Sequence, residues 1–115
     1  MLDYFRNETD VRHFHPGDRI FSEGDRGDCF FAVLDGEVAI ERDGREVDLA
    51  RKGEIFGEMA LIDDAPRSAT AVARTETRLA AVGKHRFTFL VQQTPFFALH
   101  VMHILAERLR RHREA

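Results

Sequence analysis

Cysteine occurs once in this chain of 115 residues, at Cys29. An intramolecular disulfide and a cysteine-based zinc site are therefore excluded, and the setting Asp28-Cys29-Phe30-Phe31 reads as a buried strand thiol rather than a nucleophile. No apolar run approaches the ~18 residues that a membrane helix needs. Met1-Leu2-Asp3-Tyr4-Phe5-Arg6 carries no basic stretch followed by an apolar one, so a soluble, cytoplasmic protein is expected. An excess of positive charge is also missing: 17 Lys and Arg stand against 20 Asp and Glu. That balance disfavours a broad polyanion-binding face, and with it direct nucleic-acid binding, but leaves room for one small anion. Repeats, linkers and low-complexity tracts are absent, and the length suits one folded domain.

What is present changes character once, near Gly83. Before it, short β-rich runs alternate with Gly and Asp turns; after it, apolar spacing becomes helical and glycine disappears. The runs are Val11 to His15, Arg19 to Ser22, Cys29 to Leu34, Glu37 to Arg42, Arg45 to Ala50, Ser68 to Ala73 and Thr77 to Val82. Asp43-Gly44, flanked by Val38 and Ile40 on one side and Val47 and Leu49 on the other, is a two-residue hairpin signal. The expected architecture is α+β: an antiparallel β-roll, jelly-roll-like, over residues 11–83, then two C-terminal helices over 84–115. Residues 1–10 read as a short, loosely attached lead-in.

The first helix, Lys84 to Gln93, sets Phe87, Leu90 and Val91 on one face. Thr94-Pro95 then supplies an N-cap and a first-turn proline for a second helix to about Arg113. That helix carries two apolar stripes. Phe97, Val101, Ile104 and Leu105 can cover the roll, whereas Leu99, Met102, Ala106 and Leu109 form a seam that calls for a partner, most simply a second copy in a homodimer. Arg108, Arg110, Arg111 and Arg113 at its end read as complements to the helix dipole on a solvated face.

The segment that carries chemistry is 56–70, Phe-Gly-Glu-Met-Ala-Leu-Ile-Asp-Asp-Ala-Pro-Arg-Ser-Ala-Thr, which interrupts the strands with a helix of one or two turns. Gly57 permits close backbone approach and opens that helix, whose free N–H groups suit an anion. Arg67, on a proline-braced turn, can pair with the anion, while the Ser68 hydroxyl and the Ala69 N–H add hydrogen bonds. Glu58 is itself negative and is suited to accept from ligand hydroxyls. One anionic centre with an adjacent hydroxyl describes a sugar phosphate.

This run closely resembles the phosphate-binding cassette of cyclic-nucleotide-binding domains, found in the catabolite activator family, kinase regulatory subunits and nucleotide-gated channels. The stretches 16–25 and 27–38, with their spaced glycines, resemble strands of the same roll, and the likeness extends over about Val11 to Arg111. It implies that Glu58 binds the ribose 2′-hydroxyl and Arg67 the cyclic phosphate. The amides of Gly57, Met59, Ala60 and Ala69 and the Ser68 hydroxyl complete the shell. His112 and Arg113 would fall where the family's last helix closes over the base. The chain stops at Ala115 without the helix-turn-helix domain of DNA-binding relatives, so no promoter-binding output is carried over. The ligand expected is cAMP in preference to cGMP, with no further cofactor.

Other signals are weaker. His13-x-His15 begins like a cupin metal motif, but Arg19 and Ile20 stand where its Glu is required, and His100 with His103 lacks a third ligand, so no metal is assigned. No nucleophile, acid and base come together in the pattern, and the chain reads as a sensor without turnover. Two rivals remain: a nucleotide-independent interaction module on the same fold, and a cupin-like metal enzyme.

Overall fold

The computed structural model describes residues 4–114, with side chains described through residue 111. Among the described residues, eight strands and three helices follow in order: β1 (Val11–Phe14), β2 (Arg19–Phe21), β3 (Cys29–Asp35), β4 (Glu37–Arg42), β5 (Arg45–Arg51), β6 (Ile55–Phe56), α1 (Met59–Ile62), β7 (Thr70–Ala73), β8 (Thr77–Gly83), α2 (Lys84–Gln93) and α3 (Pro95–Glu114). The strands form two four-stranded antiparallel sheets, ordered β1-β8-β3-β6 and β2-β7-β4-β5. This is the α+β roll with two C-terminal helices that the sequence pattern implies.

The run Cys29-Phe30-Phe31-Ala32-Val33-Leu34 is buried on both faces, which explains why it is apolar throughout instead of alternating. Successive side chains of a strand point to opposite faces. Cys29, Phe31 and Val33 accordingly join Val38, Ala50, Phe56, Ala71, Leu79 and Ala81 between the sheets. Phe30, Ala32 and Leu34 join Ala80 and Val82 beneath the helices, against Leu90, Phe97 and Val101. Asp43 and Gly44 both have positive φ, 54° and 77°, as a type I′ hairpin requires.

Three expectations are corrected. Residues 4–8 are not loose: Phe5 is 1% exposed and packs edge-to-face on Phe30 and Phe97, Tyr4 does the same on Phe97, and Glu8 pairs with Arg86 at 2.7 Å. Two aromatic side chains in a polar segment are enough to dock it. The strand β6 was missed because two residues carry no periodicity, yet it pairs Ile55 with Ala32 and Phe56 with Phe31. The strand expected from Ser68 begins only at Thr70, because the Arg67 backbone is engaged elsewhere: its N–H donates to Asp25 O and its carbonyl accepts from Gly24 N–H, each at 2.8 Å.

Candidate functional site

A cavity of about 420 Å³ opens between the second sheet, the α1 segment and the C-terminal part of α3. Every roll residue singled out from sequence lines it: Gly57, Glu58, Met59, Ala60, Arg67, Ser68 and Ala69. Apolar walls come from Phe21, Ile40, Val47, Ala50 and Phe56 on the roll and from Leu105 and Leu109 on α3. His112 and Arg113, the candidate base lid, lie outside the described side chains.

Arg67 is 6% exposed. Its Nη1 donates to Gly57 O at 2.8 Å and its Nη2 to Cys29 O at 2.7 Å, while the guanidinium carbon sits 4.2 Å from the centre of the Phe21 ring. Two backbone carbonyls and an aromatic face thus orient the cation, and among the described residues it has no carboxylate partner. Its Nε is buried without a hydrogen bond to any of the described residues. A charge held this far from water with only dipoles for partners favours an anion beside it. Glycine makes the arrangement possible. A Cβ at Gly27 would lie 2.5 Å from Arg67 Nε, and one at Gly57, where φ is +79°, would lie 2.7 Å from Nη1.

Glu58 precedes the single turn α1 and is 4% exposed. One carboxylate oxygen is gripped by Arg108 Nη1, while the other, Oε2, is buried with no hydrogen-bond partner among the described residues. Arg108 also donates Nη2 to Ile55 O at 2.5 Å, and its Nε lies 3.5 Å from Asp48 Oδ2. Arg111 reaches the same Asp48 oxygen at 3.5 Å. The reading of Arg108 as a solvated dipole complement is therefore corrected: its side chain turns into the cavity because two carboxylates of the roll outcompete solvent for it. A signal was present. Arg108 continues the buried face through Val101 and Leu105 at helical spacing, a place where a charge needs partners. Sequence reasoning also missed Asp48 and Arg42 as lining residues, since neither falls in a local motif.

Three of the histidines are occupied otherwise. On the surface, His15 Nδ1 lies 2.9 Å from Glu76 Oε1, His103 lies 3.6 Å from Glu107, and His100 packs edge-to-face on Tyr4. Among the described residues, no group of three or more His, Cys, Asp or Glu could hold a metal ion. Burial pushes the Cys29 thiol up from its ordinary pKa, with Arg67 opposing it in part, which keeps the sulfur protonated and unreactive.

Fold and site together define a β-roll that offers a cationic, partly apolar cavity to a small anion under a C-terminal helix. The model of the cyclic nucleotide-binding domain family matches residues 11–94, and the chain belongs to that family. It is 38% identical over 114 residues to the cyclic AMP receptor protein of Thermus thermophilus, covering 95% of this chain and 51% of that one. Over 82 residues it is 39% identical to a cAMP-dependent protein kinase regulatory subunit of Hypocrea atroviridis, covering 71% and 18%. The crystal structure of Thermus thermophilus catabolite activator protein superposes with a TM-score of 0.79 at 36% identity, covering 96% of this chain and 52% of that one. The chain thus spans between about a fifth and a half of the length of these curated relatives.

Proposed function

We propose that this chain is a non-catalytic, cytoplasmic sensor module that binds one cyclic purine mononucleotide, cAMP in preference to cGMP, and passes its occupancy to α3. The observation that carries this is Arg67: a buried guanidinium oriented by two carbonyls, without a carboxylate, in a cavity walled by the rest of the cassette. Two of its five N–H donors serve those carbonyls, and the remainder suit the two exocyclic oxygens of a cyclic phosphate. The Ser68 hydroxyl and the amides of Gly57, Met59, Ala60 and Ala69 complete the anion's surroundings.

Glu58 divides its carboxylate. Oε1 stays with Arg108, which also neutralises a charge that would otherwise repel phosphate, and Oε2 accepts from the ribose 2′-hydroxyl. Ligand hydroxyl, Glu58, Arg108 and α3 then form one chain of contacts, so any ligand that tightens the Glu58 position also biases the helix. The preference for cAMP rests on the resemblance to bacterial relatives, since Ser68 is compatible with either nucleotide.

The seam on α3 favours a homodimer. Leu99, Met102 and Leu109 are 56%, 60% and 72% exposed, a contiguous apolar stripe for which a second copy of the same helix is the simplest cover. Calorimetric titration with cAMP and with cGMP tests the ligand: no heat with either removes the reading. Sedimentation of wild type and Met102→Glu tests the assembly, with a wild-type dimer and a mutant monomer that still binds nucleotide expected. A wild-type monomer at high concentration, with and without ligand, would defeat the dimer.

A further inference from the structure

A third guanidinium lines the cavity, and none of the roles above uses it. Arg42 is the last residue of β4, just before the Asp43-Gly44 turn. The ladder between β4 and β7 ends at the pair Glu41 with Thr70. Beyond that pair the Arg42 side chain reaches the same neighbouring segment: its Nε donates to Ser68 O at 3.1 Å. The side chain thus ties the end of β4 to the end of the cassette. Its terminal nitrogens, Nη1 and Nη2, have no hydrogen-bond or ion-pair partner among the described residues. Arg42 belongs to the cavity wall that includes Ser68 and Arg67. The two carboxylates of that wall, Asp48 and Glu58, both face Arg108, so nothing on the wall neutralises Arg42.

We propose that Arg42 is a second cationic contact for the ligand phosphate: it draws the anion in from the solvent side, then meets its oxygens beside Ser68. This rests on the reading of the cavity as a cyclic-nucleotide site. Arg42 is exposed where Arg67 is buried, so its field is screened by salt and is felt during approach more than in the bound state. Its hydrogen bond to Ser68 O acts on the bound state instead, by holding the Ser68 backbone in place.

The two contributions separate in association and dissociation rates, measured by stopped flow with a fluorescent base-labelled cAMP analogue. Arg42→Gln removes the charge and should slow association about three- to tenfold at ~20 mM salt, with the difference falling below about twofold at ~300 mM. Arg42→Lys keeps the charge without the planar fork, and should associate like wild type while dissociating faster. Equal association rates for wild type and Arg42→Gln at low salt would overturn the proposal while leaving the site intact. Absence of any association with wild type would instead overturn the cyclic-nucleotide reading on which it rests.

Discussion

Arg67 and Arg108 line one cavity, are both largely withdrawn from water, and are wired in opposite ways. Arg67 is held by neutral carbonyls of the roll and keeps its full charge for something else. Arg108 comes from α3 and satisfies itself on two carboxylates of its own protein. A cation fixed by dipoles is a receptor for an anion; a cation fixed by carboxylates is a clasp between structural elements. On the proposed reading the roll contributes recognition and α3 contributes closure, and the contrast can be broken one residue at a time.

The largest effect should come from Arg67→Ala. Cyclic nucleotide binding should weaken by about 2–5 kcal/mol in calorimetry, because the phosphate loses a desolvated charged partner. The fold should survive with a lower melting temperature, since Gly57 O and Cys29 O lose their donor. A folded Arg67→Ala protein with wild-type affinity would end the claim that this residue is the receptor.

Next comes Glu58, whose two oxygens face different sides of the comparison. Wild type should disfavour the 2′-deoxy cyclic nucleotide by about 1.5–3 kcal/mol, and Glu58→Ala should abolish that difference. If Glu58→Ala discriminates as wild type does, the residue serves only to hold Arg108.

Gly27→Ala sharpens the contrast by acting on Arg67 from behind, through a residue that is not itself a proposed ligand contact. The added methyl would crowd both Arg67 Nε and Ala60 Cβ, at 2.5 Å and 2.8 Å, and should displace the guanidinium. A loss of roughly 1–2 kcal/mol in affinity is expected, within the usual range for overpacking. Affinity unchanged in a folded Gly27→Ala protein would mean that the guanidinium has room to move aside.

The smallest effect lies away from the cavity. Glu76 raises the His15 pKa above its ordinary value of about 6.5 by hydrogen bonding and charge. A group with a raised folded pKa stabilises most below its unfolded value, and the benefit disappears as pH rises through the folded one. Thermal melts from about pH 6 upward should therefore show a slight decline that His15→Gln lacks. Identical pH profiles for the two proteins would mean that the exposed pair contributes nothing.

Recognition was far more legible in the sequence than closure. The cassette is local: Gly57, Glu58, Arg67 and Ser68 occur within twelve positions, and their chemistry can be reasoned out from spacing. The hairpin at Asp43-Gly44 was equally plain, since positive φ at two successive residues selects those residue types. Closure depends on residues distant in sequence. Arg108 meets Glu58 across fifty positions, and no helical rule distinguishes it from its neighbours Arg110 and Arg111 except its register with Val101 and Leu105. Asp48 sits in a strand whose exposed start gives no hint of a cavity beneath. Phe5 was hidden by polar neighbours, and its place became evident only when Phe30 and Phe97 converged on it.

The docking of Phe5 also divides α3 into two mechanical regimes. Up to Val101 the helix is locked between the chain's own beginning, β3 and α2, through the fully buried Phe97. From Met102 to Arg111 no side chain is fully buried, and the helix is retained by Ile104, Leu105 and the grip of Arg108 and Arg111. Its amide protons should then exchange along a gradient: the proximal turns only when the whole domain unfolds, the distal turns through cheap local openings that salt makes more frequent. On the proposed reading, opening the cavity need not loosen the roll, because the change in packing falls inside a continuous helix, one turn beyond the last aromatic that holds it.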